Sequence, residues 1–153
     1  MIMKYSFLLI FMFSLLNGYS QKHENEYTKM IDTALGIMLQ KKIDSKDVSN
    51  NRELYLFDEN DRSYPYLHKS LKNVKSIDLT MARNDRRLKH GINAWKIIPV
   101  LKGGRITITI IDFRITYKSN QFNYANGGGS EFVFQFSCEK NEWMLVASKT
   151  DGL

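Results

Sequence analysis

At 153 residues, with 43% hydrophobic and 12% aromatic side chains, the chain has the size and apolar content of a single folded domain that needs no covalent staples. Its 22 Lys and Arg outnumber 16 Asp and Glu, a net charge of +6 spread along the sequence. A lone cysteine, Cys138, excludes an internal disulfide.

Met1-Ile2-Met3-Lys4 sets one basic side chain beside the amino terminus. Phe7 to Leu16 then reads FLLIFMFSLL, apolar except for Ser14, and Gly18-Tyr19-Ser20 has small residues at its first and third positions. This is the pattern of a secretory signal peptide. It predicts removal of residues 1–20 after Ser20 and one domain over 21–153. The apolar run falls well short of the ~20 residues that span a bilayer as a helix. No later stretch is a transmembrane candidate. Loss of Lys4 leaves 21 basic against 16 acidic side chains, a net of +5. The expected location is periplasmic or secreted. The expected partner is a protein or a small-molecule ligand, with no nucleic acid. A mildly basic surface also suits an anionic envelope surface, or plain solubility.

In the mature chain, Tyr27, Met30, Ile31, Ala34, Leu35 and Met38 recur at helical spacing and predict an amphipathic helix over Glu24–Lys42. Asn25 suits its start, and Lys41-Lys42 suits the negative end of its dipole. Residues 44–51 are polar and predict a loop. Leu54–Phe57 reads as a short strand, followed by an acidic turn, Asp58-Glu59-Asn60-Asp61. Pro65 opens a second short helix carrying Leu67, Leu71 and Val74. Ile77, Leu79 and Met81 alternate with polar residues, as in a half-buried strand. Arg83–Gly91 is charged and predicts a loop or single turn.

Gly103-Gly104 between two apolar runs predicts a type I′ hairpin. It pairs Leu101 with Ile106, Pro99 with Ile108 and Ile97 with Ile110. The alternation changes phase at Ile110-Ile111, which predicts a bulge or a change of packing environment. Lys118–Ser130, ending in Gly127-Gly128-Gly129, reads as a long polar loop, functional or mobile. Phe132, Phe134, Phe136 and Cys138 then alternate with Val133, Gln135 and Ser137. A turn at Lys140-Asn141 would set Cys138 opposite Trp143, Phe136 opposite Leu145 and Phe134 opposite Ala147. Cys138 would then be a small buried hydrophobe.

Helix first and strands after predict an α+β domain, the helix packed on a curved, mostly antiparallel sheet. The helix at Glu24–Lys42 and the meander from Trp95 to Ser148 resemble the NTF2-like or cystatin-like group. In that group a cone-shaped sheet wraps a pocket. The resemblance implies a fold and no catalytic residue.

Little in the sequence carries chemistry. His23, His68 and His90 have no helical pairing, so no metal site is expected, and no cofactor. From Asp58, an EF-hand register meets Ser63 and Lys69 where Gly and Glu belong. Gly127–Gly129 leads into a strand rather than a helix, unlike a phosphate cradle. No catalytic residue stands out except Asp112, which the hairpin register sets opposite Trp95. A carboxylate against an indole in an apolar pocket would gain basicity and act as a general base. Tyr117 or Tyr124 would add a hydrogen-bond donor, making Trp95, Asp112, Tyr117 and Tyr124 the candidate ligand-binding residues. Alternatively, a bulge turns Asp112 to solvent, where it pairs with Lys96 or Arg114. Arg83, Arg86, Arg87 and Lys89 cluster around Asp85, as an anionic docking point or as a solvated loop. The leading expectation is a non-enzymatic binding module; the alternative is a small enzyme using Asp112.

Overall fold

The structure, a computed structural model, describes residues 26–42, 53–64 and 74–151. The predicted signal peptide, the predicted 44–51 loop and the helix predicted from Pro65 lie outside them, except that Val74 opens a strand. Helix α1 covers 26–42. The strands are β1 (Leu54–Asp58), β2 (Val74–Ser76), β3 (Ile92–Lys102), β4 (Arg105–Lys118), β5 (Gln121–Ser137) and β6 (Glu142–Asp151). A 3-10 turn (Ala82–Asn84) and a five-residue helix, α2 (Arg86–His90), precede β3. The strands form one strongly curled sheet in the order β2-β1-β3-β4-β5-β6, with α1 packed against it. The fold is therefore α+β with a curved sheet. Pairing is antiparallel from β3 to β6 and parallel where β1 meets β2 and β3.

The Gly103-Gly104 hairpin has the expected register, from Leu101 opposite Ile106 to Trp95 opposite Asp112. Both glycines have positive φ, 59° and 73°, as a type I′ turn requires. Pro99 lies two residues past Ile97, the last β3 residue paired to β1, so its missing N–H costs that ladder nothing. β4 pairs with β3 without a break, so the phase change at Ile110-Ile111 is a change of packing environment, with Ile110 in the core under α1 and Phe113 and Ile115 on the other face. The bulge lies in the neighbouring β5, where Gly127 and Gly128 face the single residue Asp112. Gly128 has φ 105°, a conformation suited to glycine.

Three expectations need correction. Residues 118–130 are no loop. Ser119 and Asn120, both left-handed (φ 50° and 63°), turn the chain directly into β5, and the glycine run is the bulge within that strand. The second hairpin closes through four residues, Cys138 to Asn141, rather than two. Phe136 therefore faces Trp143 and Phe134 faces Leu145, and Cys138 is exposed in the turn. The strand near Ile77 is Val74–Ser76. Beyond it, Asp78 Oδ1 accepts from the Thr80 and Met81 backbone N–H groups, which turns the chain. Ile77 and Leu79 are still buried, but Met81 is 84% exposed.

Both faces of the sheet carry core. Met30, Ile31, Ala34 and Leu35 of α1 pack on Leu56, Trp95, Ile97, Ile108, Ile110, Phe132 and Phe134. On the other face, the 77–88 segment seals Tyr55, Phe57, Ala94 and Ile115 with Ile77, Leu79 and Leu88. Leu88 is fully buried and anchors α2.

Candidate functional site

The residues singled out by sequence divide between the two faces. Strand alternation puts Trp95 and Asp112 under α1. Trp95 is fully buried, and its Nε1–H has no acceptor among the described residues. Asp112 shares that face, and its Oδ2 accepts from Lys42 Nζ at 2.8 Å. The ammonium also lies 5.5 Å from the Trp95 ring centroid. Lys42 ends α1, so the pair clips the helix to the bulge of the sheet. Asp112 does lie opposite Trp95, as the hairpin register predicts, while the pairing with Lys96 or Arg114 is not formed, because Lys96 bonds Asp61 and Arg114 bonds Asn93 and the His90 carbonyl.

Tyr117 and Tyr124 lie on the opposite face, away from Asp112. They belong to a row of rings, Phe57–Phe113–Tyr124–Phe122–Tyr117, with neighbouring centroids 4.7 to 6.3 Å apart. Lys96 sits over Phe57 and donates to Asp61 Oδ1 at 2.9 Å. Tyr124 donates to Asp61 Oδ2 at 3.4 Å. Burial, reinforced by the Asp61 charge, pushes the Tyr124 phenol up to about 12. Asp61 belongs to the acidic turn, which Asp58 builds by accepting from the backbone N–H groups of Asn60 and Arg62.

The basic cluster proves to be the larger feature. Asp85 caps α2 through the Arg87 backbone N–H and grips the Arg87 guanidinium at 2.5 to 3.0 Å. Those hydrogen bonds hold the Asp85 carboxyl below its usual range and raise Arg87. Arg87 also donates to Tyr55 Oη at 2.6 Å and lies 5.0 Å from that ring's centroid. The Tyr55 phenol in turn donates to Glu53, whose second oxygen meets Lys75. Burial, then the hydrogen bond to Glu53, pushes Tyr55 up, while Lys75 and Tyr55 hold Glu53 down.

Arg114 joins this network from β4. Its guanidinium donates to Asn93 Oδ1 at 3.1 Å and to the His90 carbonyl at 2.8 Å. It passes over Gly91 (φ 84°), where a Cβ would lie 2.7 Å from Arg114 Nε. Glu53, Tyr55, Arg87, His90, Asn93 and Arg114 line a cleft of about 390 Å³. A second cleft, of about 570 Å³, opens between the 3-10 turn, α2 and the β4–β5 turn. Arg83, Asn84, Lys89, Tyr117, Lys118 and Asn120 line it. Among the described residues, no carboxylate pairs with Arg83, Lys89 or Lys118.

Sequence reading found Arg83 and Lys89 but missed Arg114 and Lys118, which lie far along the chain. No described helix is long and apolar enough to cross a membrane, and no three described His, Cys, Asp or Glu side chains form a metal-holding group. Compared with protein-family models, curated proteins and solved structures, the chain finds no match in any of the three.

Proposed function

We propose that this chain is an exported, non-enzymatic binding module of NTF2-like or cystatin-like build, holding an anionic partner on the basic rim around α2. One observation carries the reading: Arg83, Lys89 and Lys118, from three separate elements, line one cleft with no described carboxylate paired to any of them. Exposed cations that share a cleft give it a positive surface that an anion complements. The Asp112 alternative has less support, since Asp112 is held in an ion pair with Lys42 at the end of α1.

The test is retention of the purified protein on a sulfated-polysaccharide resin. A Lys89→Glu/Lys118→Glu variant is compared with Lys102→Glu/Lys140→Glu, which changes net charge equally at the far end of the sheet. The rim variant should elute at clearly lower salt than the distal one. Equal elution of the two would mean that net charge alone holds the protein, and the reading would fail.

A further inference from the structure

Resting on that reading, we propose that the cleft between the 3-10 turn, α2 and the β4–β5 turn binds a tetrahedral oxyanion, a phosphate or sulfate ester on a small soluble carrier. The nearest acids in sequence are already committed. Asp85 is spent on Arg87 and the start of α2, and Asp78 on the turn at Thr80 and Met81. The cleft therefore keeps its positive charge. Two ammonium groups with three N–H each and one guanidinium with five supply donors from three elements of the lining.

That arrangement suits a phosphate better than a carboxylate. A planar carboxylate is satisfied by one bidentate guanidinium. A phosphate monoester carries about −1.5 to −2 charge on three acceptor oxygens, and three separated cations match it. Neutral donors add to the set. Tyr117 donates to Asn120 Oδ1 at 2.7 Å, which assigns the amide oxygen and leaves the Asn120 NH₂ group as donor. Ser119 contributes a hydroxyl at the same turn.

The donors stand on supports that folding has already ordered. The two-residue turn at Ser119-Asn120 closes β4 and β5, and buried Leu88, the residue before Lys89, anchors the backbone there. Binding then costs less ordering than it would on a free loop. The 570 Å³ space leaves room for a carrier beside one oxyanion. Tyr117, packed on Phe122 with centroids 4.7 Å apart, offers that carrier an aromatic wall.

The experiment follows backbone amide shifts of the ¹⁵N-labelled protein at constant ionic strength. Four probes are added separately: inorganic phosphate, acetate, glucose 6-phosphate and vesicles of phosphatidylglycerol. Phosphate and glucose 6-phosphate should give saturating shifts centred on Lys89, Lys118 and Asn120, and acetate should give none. Lys89→Gln/Lys118→Gln should weaken phosphate binding by about tenfold or more. Equal saturation by acetate, or full binding by the double variant, overturns the oxyanion assignment. Tighter binding to the vesicles than to glucose 6-phosphate overturns the soluble carrier. Rim-dependent resin retention without phosphate saturation removes this inference and leaves the broader reading standing. Phosphate saturation without rim-dependent retention does the reverse.

Discussion

Replacing Gly91 with alanine tests how the start of β3 holds Arg114. Gly91 has φ 84° and ψ 139°, a backbone state that L side chains avoid, so the backbone alone costs about 1–3 kcal/mol. The added Cβ would also lie 2.7 Å from Arg114 Nε and 2.9 Å from Thr116 Cγ2. The arginine is flexible and can withdraw, but only by giving up its bonds to Asn93 and the His90 carbonyl. At an exposed site these contribute roughly 1 kcal/mol together. The expected total is about 2–4 kcal/mol, read from urea midpoints at unchanged slope. Gly104→Ala is the internal comparison: φ is 73°, but nothing lies within 4 Å of its Cβ, so only backbone strain of about 1–2 kcal/mol applies. In an Arg114→Ala background the arginine's share of the crowding disappears while the Thr116 contact stays, and Gly91→Ala should cost less by about 1 kcal/mol. Strict additivity of the two substitutions would refute the crowding. A Gly91→Ala loss no larger than that of Gly104→Ala would refute the combined estimate.

Two further outcomes are expected. Asp112→Asn should lower stability by about 0.5–1.5 kcal/mol, because a quarter-exposed ion pair between α1 and the bulge is lost, and the difference from the parent should shrink with added salt; a variant as stable as the parent at low salt would remove the clip. Tyr124 has a folded pKa raised from 10 to about 12, so its neutral form contributes stability that is complete below pH 10 and lost between pH 10 and 12. Over that window the parent should lose more stability than Tyr124→Phe, by an amount on the order of 1 kcal/mol given the exposure of the phenol. Parallel pH curves for the two proteins would rule this out.

What was legible depended on how locally each feature is determined. The periodic residues Met30, Ile31, Ala34 and Leu35 mark both the helix and its buried face. Gly103-Gly104 sets a two-residue turn, and such a turn leaves only one register for Trp95, Ile97 and Pro99. Where the turn was longer the inference slipped: Cys138 to Asn141 use four residues, and every pair between β5 and β6 moved with them. The first half of β5 was misread because Asn123, Asn126 and three glycines have loop composition, although Phe122 and Tyr124 already alternate at strand period. The acidic partners were the least visible. Asp61 finds Lys96 across 35 residues, and Lys42 finds Asp112 across 70. Such pairs are products of topology, and no local pattern encodes them.

The charge on α2 is difficult to explain by folding alone. The helix is five residues long, RRLKH, and packing uses one of them, since Leu88 alone is buried. Any polar residues at the other four positions would let Leu88 seal the second core. Arg86 and Arg87 stand at the positive end of the helix dipole, where cations are unfavourable, and Asp85 is needed at the cap to offset them. Lys89 suits the other end of that dipole, yet it shares its cleft with Lys118 and Arg83 rather than with an acid. The same elements could have placed a carboxylate at Asn84 or Asn120 and closed the cleft with an ion pair. Two amides stand there instead, and they leave the positive charge unneutralised while adding donors. A cleft whose described lining holds three cations, two amides and no carboxylate is accounted for by an anion it binds, more simply than by the stability of the sheet beneath it.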